Sequence, residues 1–342
     1  MENNSIEKDN PMKNMGTIYV VIPAYNVEKF IGAAFESLLA QTYPHWKCLC
    51  MNDGSKDNTW AVMQSYARKD SRFIVFTHDN QGVTKTRNAL LDKVKGPYLA
   101  FMDSDDYLHP QMFEVLLSQL ISHQADMTEC AVDRFVDNVE SKKLALVRKD
   151  LVKPRVLEKI NFWGVRSSLI GGWINVVNKL YRWDKIKDVR FSEGLSYEDD
   201  FFYSSQTHSL IQKKIIIDYP FYFYRKNPNS LCGSVNWDKY QRAGINRIRL
   251  SYDYFIGGNR VPSEQRDAFM YELTQDAYRM IVRKPLKKSK DRALFQNAVR
   301  AIQSYLSEGV IDRKYLSLKQ RIHVWFLLHR SYHLSRLVAR LT

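Results

Sequence analysis

Short apolar runs alternate with helix-like segments over the first hundred residues. The runs are rich in β-branched and aromatic side chains and lie at residues 17–22, 46–51, 73–76 and 98–102. Segments with the apolar spacing of amphipathic helices separate them, at residues 30–40, 57–67 and 84–94. Continuous apolar runs are typical of strands buried on both faces. Strands that alternate with helices predict right-handed crossovers and an α/β fold with a mostly parallel central sheet flanked by helices.

The pattern loosens after residue 106. We predict a helix at residues 110–122, followed by strands at residues 128–135, 144–152 and 215–224. An aromatic and glycine-bearing segment at residues 162–184 predicts the wall of a site. From residue 237 onward helical periodicity dominates. These patterns predict a flexible leader (1–16), an α/β domain (17–235) and a helical C-terminal region (236–342).

Composition narrows the class of protein. The chain has 342 residues, of which 45% are hydrophobic and 13% aromatic, which excludes a disordered protein. Its four cysteines form no CxxC pair, which argues against a zinc site and a disulfide framework. The polar start has no signal-peptide pattern, and no apolar stretch approaches the ~18 residues that span a bilayer. We therefore expect a protein of the reducing cytoplasm.

Three of the first four predicted strands end in a polar turn, at residues 23–26, 52–55 and 103–105. The carboxyl ends of parallel strands meet at one sheet edge, where such folds bind ligands. There Tyr25 can stack on a base, Asp53 can accept from a base N–H, and Asp105 can hold a divalent cation that bridges to phosphate. Arg87 follows a helix start that can face anionic phosphate. Each residue also has an ordinary structural reading, as a core cap, a turn stabiliser or a surface ion pair.

Three segments carry a resemblance to a known family. They read VVIPAYNVEKFIGAAFESLLAQTYPHWKCLCMNDGSKDNT, NQGVTKTRNALL and YLAFMDSDDYLHP, and they resemble the opening motifs of glycosyltransferase family 2. A weaker resemblance continues in NKLYRWDKI, FSEGLSYEDDFFY and YFYRKNPNSL. The resemblance implies the GT-A fold and an inverting, metal-dependent enzyme that uses nucleotide sugars. No family is recognised in the C-terminal hundred residues.

The resemblance also implies roles for individual residues on the donor side. Asp103 contacts the ribose with Ser104 beside it, Asp105 ligates Mn²⁺ or Mg²⁺, and Arg87 approaches the base or the diphosphate. Arg225 and Ser230 belong to a loop that closes over the diphosphate. The uracil pocket is formed by Pro23, Ala24, Tyr25 and Asp53. Asn52 stands where the family more often has Asp.

A second acidic cluster suits the proton transfer. An inverting reaction needs a base on the face opposite the leaving group, separate from the metal. By resemblance the base belongs to the pair Glu198 and Asp199, with Asp199 as the base and Asp200 as the alternative if the register shifts by one. These acids also fit the start of a helix, where the dipole favours negative charge. Trp173, Asn178 and Lys179 resemble the acceptor-side segment, although a buried tryptophan is a comparable reading.

The net charge of +14 is uneven. Residues 313–342 contain seven Lys/Arg and no Asp or Glu, and their apolar side chains recur at near-helical spacing. Such a helix can lie at an anionic membrane surface, so we expect peripheral contact with the inner face of the cell membrane through residues 313–342. The alternative is a helix that packs on the catalytic domain.

These observations predict an enzyme that transfers a sugar from a UDP-sugar to a glycan or lipid-linked glycan acceptor, such as lipooligosaccharide or capsule. A nucleotidyltransferase would need a glycine-rich phosphate loop, and residues 23–28 contain no glycine. A nucleic-acid-binding module would interleave basic and aromatic residues on one face. Here the basic excess is terminal and the expected cleft is acidic, so no nucleic-acid partner is expected. The donor sugar, linkage and oligomeric state are left open.

Overall fold

The computed structural model describes residues 15–135, 146, 153–158, 175–195, 198–226 and 235–341. The chain divides into two compact units, one of residues 1–191 with 203–227 and one of residues 192–202 with 228–342. The predicted leader, most of the predicted strand at 144–152 and most of the predicted site wall at 162–184 lie outside the described residues.

The first unit opens with the four predicted parallel strands. They are β1 (Ile18–Ala24), β2 (Trp46–Asp53), β3 (Phe73–His78) and β4 (Tyr98–Phe101), in the order β3-β2-β1-β4. The connecting helices are α1 (Ile31–Leu39), α2 (Thr59–Lys69) and α3 (Val83–Leu91). All three pairings among these strands are parallel. Strands joined by crossover helices adopt this arrangement, so the predicted first half of the fold is confirmed.

Beyond β4 the sheet becomes mixed. β8 (Lys179–Arg182) runs antiparallel to both β4 and β6 (Met127–Phe135), and β9 (Lys213–Arg225) runs parallel to β6. The short strands β5 (Tyr107–Leu108) and β7 (Pro154–Glu158) pair antiparallel with β9. The predicted α/β class is thus confirmed, and β8 is the strand at which the uniform direction ends. The helices α4 (Met112–Ser122), α5 (Trp183–Ile186) and α6 (Asp199–Leu210) complete this part of the chain.

The core of the first unit is formed by these strands and the helices that cover them. Ile18, Val20, Val21 and Ile22 of β1 are completely buried, as expected of a strand covered on both faces. Cys48 and Cys50 of β2 are equally buried, and burial raises the pKa of both thiols. They serve as core residues of the first unit.

Residues 235–341 of the second unit form helices joined by short turns. Its helices are α7 (Trp237–Tyr252), α8 (Arg266–Ala277), α9 (Lys284–Lys288), α10 (Arg292–Ser307), α11 (Leu318–Leu328) and α12 (Tyr332–Leu341). Two π-helical segments, Asp253–Gly257 and Tyr278–Arg283, extend α7 and join α8 to α9. Within the described chain, no helix combines the length and apolar character that crossing a bilayer requires.

Candidate active site

The carboxyl ends of β1, β2 and β4 lie next to one another. Ala24 pairs with Asn52 across β1 and β2, and Val21 pairs with Phe101 across β1 and β4. The polar turns that follow these strands therefore meet at one edge of the sheet, as the sequence predicted. This edge is the usual ligand site of an open α/β sheet.

The turns after β1 and β2 are tied together by hydrogen bonds. The Asn26 N–H donates to Ser55 Oγ at 3.0 Å, and the Lys56 N–H donates to Asn26 Oδ1 at 2.8 Å. Ala24 is buried and Pro23 partly buried beneath this turn, whereas Tyr25 is 47% exposed. An exposed ring on a fixed turn is well placed to stack on a planar base.

Asp53 is buried at the end of β2 and holds the start of α3. Its Oδ1 accepts from the Gln81 N–H at 2.7 Å, and its Oδ2 accepts from the Gly82 N–H at 3.0 Å. Each carboxylate oxygen has two acceptor sites, so the group can still accept a hydrogen bond from a ligand. Asp53 thus positions the loop and remains chemically able to recognise a base N–H.

Gly54 allows the β2 turn and the loop before α3 to approach each other closely. Its φ is +67°, and a Cβ at this position would lie 2.5 Å from the Asn80 backbone nitrogen. Asn80 Nδ2 in turn donates to the Asp53 carbonyl at 2.9 Å. Any side chain at residue 54 would separate the β2 turn from the loop that leads into α3.

Arg87 lies within the site and is almost fully buried. Its guanidinium Nη2 is 3.2 Å from Asp103 Oδ1, and its Cζ lies 5.1 Å from the centre of the Phe191 ring. The Asp103 side chain is 32% exposed. Arg87 therefore orients the carboxylate that follows β4, which leaves Asp103 accessible to a ligand.

Asp106 and Tyr222 hold the turn after β4, and sequence analysis assigned neither of them a role. The Tyr222 hydroxyl donates to Asp106 Oδ2 at 2.5 Å and accepts from the Asp103 N–H at 3.2 Å. The Arg225 N–H donates to Asp106 Oδ1 at 2.8 Å. Burial, followed by the charges of Asp103 and Asp105, raises the pKa of Asp106 well above its usual value. Asp106 is the third carboxylate after β4, so the sequence offered a reason to consider it. Nothing in the sequence distinguishes Tyr222 from the other aromatic residues of its strand.

Asp105 lies between these groups and is partly buried. Burial raises the pKa of its carboxyl, and its own backbone amide and Arg225 act in the opposite direction. Among the described residues, no side chain donates a hydrogen bond to the Asp105 carboxylate. Ser104, its neighbour in the turn, is buried.

The residues fit a divalent cation that is shared with a ligand. The described residues contain no group of three His, Cys, Asp or Glu that would hold a metal alone. Mg²⁺ is commonly held by one or two carboxylates together with phosphate oxygens and water. Asp105 supplies such a carboxylate, so the donor set fits a cation bound together with a diphosphate.

Arg225 is the last residue of β9 and lies beside the turn that follows β4. Its Nε donates to the Asp105 carbonyl oxygen at 2.8 Å, and its guanidinium lies between the rings of Phe30 and Phe135, 4.9 Å and 4.5 Å from their centres. This contact orients the guanidinium through Nε and leaves its outer nitrogens for an anionic ligand. Ser230, predicted to act with it, lies outside the described residues.

The predicted acceptor-side residues that can be described are buried. Asn178 has a φ of +60° and its side-chain amide donates to the Cys130 carbonyl. Lys179 is completely buried, and its Nζ lies 3.5 Å from Glu129 Oε2. Both residues make contacts inside the fold rather than presenting a surface to an acceptor. Trp173 lies outside the described residues.

The second acidic cluster belongs to the second unit. Glu198 precedes α6, Asp199 is its first residue and is 8% exposed, and Asp200 is partly exposed. Arg247 Nε of α7 lies 3.1 Å from Glu198 Oε2, and its Nη2 lies 2.8 Å from Asp276 Oδ2. Arg247 fixes Glu198, and no sequence pattern singled it out because it lies in an ordinary amphipathic helix.

Comparisons with known proteins show what the chain is similar to. Residues 19–173 match the family described as "Glycosyl transferase family 2". The chain is 27% identical over 221 residues to the uncharacterized glycosyltransferase EpsJ of Bacillus subtilis, covering 63% of this chain and 62% of EpsJ. It is 27% identical over 220 residues to the glycosyltransferase GlyA of Streptococcus pneumoniae, covering 63% of this chain and 31% of GlyA. The chain thus spans less than two thirds of the length of either relative.

The fold is shared with a solved structure. The crystal structure of S. aureus TarS 1-349 aligns with a TM-score of 0.70 at 18% identity, covering 94% of this chain and 90% of that one. The same fragment in complex with UDP-GlcNAc aligns with a TM-score of 0.71 at 16% identity and the same coverage. This likeness confirms the predicted GT-A fold. The family match over residues 19–173, the curated relatives and the fold together support a family 2 glycosyltransferase.

Proposed function

We propose that the protein is an inverting glycosyltransferase that moves a hexose or N-acetylhexosamine from a UDP-sugar to a surface glycan. The observation that carries this proposal is the convergence of Tyr25, Asp53, Asp103 and Asp105 at one sheet edge, with Arg225 beside them. An aromatic ring, a base-recognising carboxylate, a ribose contact and a cation ligand are the groups that a nucleotide sugar needs. The UDP-GlcNAc complex of the TarS fragment supports a UDP-sugar donor.

The donor would be oriented by these groups in order along the edge. Tyr25 stacks on the uracil, Asp53 accepts its N–H, and Asp103 binds the ribose under the control of Arg87. Arg225 faces the diphosphate with its outer nitrogens, where a guanidinium forms strong paired hydrogen bonds. A Mn²⁺ or Mg²⁺ ion held by Asp105 would neutralise charge that develops on the departing diphosphate.

Asp199 is the proposed general base. It takes the proton of the acceptor hydroxyl as that oxygen bonds to the anomeric carbon and the bond to UDP breaks on the opposite face. This single displacement inverts the anomeric centre. Glu198 is paired with the buried Arg247 and serves to position its neighbour, and Asp200 is the alternative base.

The acceptor is proposed to be a glycan or lipid-linked glycan of the cell surface, such as lipooligosaccharide or capsule. A putative teichuronic acid biosynthesis glycosyltransferase of Bacillus subtilis, TuaG, is 37% identical over 90 residues, 26% of this chain and 36% of TuaG. We also propose that the reaction takes place at the inner face of the cell membrane, because residues 313–342 contain seven Lys/Arg and no acid.

The test is UDP release from a panel of UDP-sugars, with Mn²⁺ or with EDTA. We expect metal-dependent release from one sugar, lost by about 100-fold or more in Asp105→Asn because the cation loses its protein ligand. Asp92→Asn, which removes an exposed carboxylate of the same unit, is the matched control. Asp199→Asn is expected to lose release while it retains UDP binding. If no UDP-sugar is cleaved and calorimetry detects no UDP binding, the proposal fails.

A further inference from the structure

The outer side of α11 carries an exposed apolar stripe. Leu318, Ile322 and Trp325 are 74%, 45% and 54% exposed. Their spacing of four and three residues places them on one face of the helix. His323 and Leu327, which point the other way, are buried. Apolar side chains therefore lie on the exposed face of α11 as well as on its buried face.

The next helix repeats this arrangement. Leu334, Leu337 and Leu341 of α12 are 44%, 53% and 73% exposed and share one face. The residues buried on the other side of α12 are small, Ser335 and Ala339. The longest apolar side chains of α12 thus point outward, the reverse of the usual amphipathic arrangement.

Both helices are already anchored to the second unit through their other faces. The Tyr278 hydroxyl lies 2.9 Å from His323 Nδ1 of α11, and the Tyr332 hydroxyl of α12 donates to the Lys290 carbonyl at 2.5 Å. The pairs α10–α11 and α9–α12 are in contact. Packing of these helices within their own unit therefore leaves the six apolar side chains exposed, and exposed apolar patches of this kind mark interaction sites.

The positive charge beside the two apolar stripes indicates which kind of partner fits this surface. Lys319 of α11 and Arg340 of α12 are exposed, and residues 313–342 contain seven Lys/Arg and no acid. A second copy of the chain would bring two such basic surfaces together, which costs free energy. An anionic bilayer accepts apolar side chains below its headgroups and attracts Lys and Arg at its surface. Trp325, which stacks on His329 at 4.1 Å, is a residue type favoured at that depth.

We propose that the stripes Leu318/Ile322/Trp325 and Leu334/Leu337/Leu341 form a docking surface for an anionic lipid bilayer. The surface lies wholly in the second unit and involves none of the residues proposed for donor binding. Its lipid binding therefore does not depend on the proposed transfer reaction, and either idea can fail alone.

The test uses the full chain and sedimentation with vesicles of phosphatidylcholine alone or mixed with phosphatidylglycerol. We expect binding to the mixed vesicles that weakens as salt rises. Ile322→Ser/Leu337→Ser is expected to weaken binding by about tenfold for each side chain withdrawn from the lipid. The control Ile121→Ser/Leu210→Ser replaces the same residue types where they are 39% and 41% exposed in the first unit, and it should bind as the parent does.

The contribution of charge is tested separately. Lys319→Gln/Arg340→Gln is expected to weaken binding to the mixed vesicles by about fivefold per charge at low salt. Lys47→Gln/Arg300→Gln removes two exposed cations elsewhere and should have little effect.

Three results would overturn the proposal. One is equal binding to both vesicle types, and another is equal weakening by the stripe and control variants. The third is absence of vesicle binding together with a dimer in light scattering that Ile322→Ser/Leu337→Ser converts to monomer, which would assign the stripes to self-association. Circular dichroism of each variant establishes that it is folded before binding is compared.

Discussion

Two buried carboxylates of the first unit have pKa values that move in opposite directions. Asp106, 1% exposed, follows β4 among Asp103 and Asp105, and burial and these neighbours raise its pKa. Glu129, 2% exposed, lies in β6 between Lys179 of β8 and Lys214 of β9, 3.5 Å and 2.6 Å from its Oε2. Burial opposes ionisation of Glu129 as well, but the two lysines lower its pKa to about 2.

The difference teaches that burial alone does not mark a functional acid. Around Asp106 the partners are a phenol, a backbone amide and other acids, so an approaching cation would favour the ionised form of these carboxylates. Around Glu129 the charge is neutralised by cations from the two neighbouring strands, so the group ties β6, β8 and β9 together. The arrangement around Asp106 suits a ligand-binding site. The cluster of Glu129, Lys179 and Lys214 suits a structural role, and we call it the scaffold.

The largest expected effect comes from breaking the scaffold. Glu129→Gln leaves two buried lysines without their counter-charge, and we expect the free energy of unfolding to fall by about 3–5 kcal/mol. The measurement is urea denaturation followed by tryptophan fluorescence.

The matched control for Glu129 is Glu158→Gln. Glu158 also pairs with a lysine of β9, Lys213, at 3.1 Å, but it is 64% exposed. An exposed pair contributes about 0–1 kcal/mol, so this variant should unfold almost as the parent does. Equal losses in the two variants would show that the buried cluster has no special role.

A smaller effect on the free energy of unfolding is expected when the hydrogen bonds that hold the turn after β4 are removed. Tyr222→Phe removes the hydroxyl that donates to Asp106 and accepts from the Asp103 N–H. We expect a loss of about 1–3 kcal/mol in unfolding free energy, together with a higher KM for the donor because Asp103 is no longer held. Tyr219→Phe removes the hydroxyl of a tyrosine that is 37% exposed on the same strand, and it should alter neither quantity. An unchanged KM in Tyr222→Phe would mean that the phenol is purely structural.

The smallest effect is a pH dependence that comes from the scaffold. Burial, with Lys214 and Lys179, lowers the pKa of His208 from 6.5 to about 3. Between these values the unfolded chain binds a proton that the folded chain does not, so stability falls as pH drops through this window. Glu129 adds a further loss as pH falls from 4.5 towards 2, because only its unfolded form is protonated there.

We expect the His208 contribution to be about 1 kcal/mol per pH unit below pH 6.5. Unfolding midpoints measured from pH 7 to pH 5 should fall less steeply in His208→Gln than in the parent. His123→Gln, at the partly exposed end of α4, is the control and should keep the parent slope. Parallel profiles for all three proteins would refute the assignment to His208.

Sequence analysis identified those parts of the molecule that local pattern determines. The parallel strands β1–β4 were predicted from their apolar runs, and the polar turns that end three of them, β1, β2 and β4, meet at one edge. The motif residues Asp53 and Asp103 were predicted as site residues because their spacing resembles that of a recognisable family, and their roles stay a prediction. The direction of β8 had no such signal, since a four-residue strand is too short to show a period.

The contacts that hold the site depend on residues far apart in the chain. Tyr222 reaches Asp106 across 116 positions, and Arg247 reaches Glu198 from a different helix. A tyrosine in an apolar strand and an arginine in an amphipathic helix look ordinary until the fold is known. Lys179 illustrates the opposite case, in which a residue stands out in the sequence but has a structural contact. It was expected beside the acceptor, and it is buried against Glu129.

The two cysteines of β2 can report local opening of the sheet through the rate of thiol labelling. Cys48 and Cys50 are completely inaccessible and lie a few residues before the Asp53 turn. A thiol reagent can reach them only when β2 separates from its neighbours, so in a Cys130→Ser/Cys232→Ser chain the labelling rate reports how often the centre of the sheet opens. Any slowing of that rate by UDP or a UDP-sugar would register ligand binding at the sheet edge without a catalytic assay.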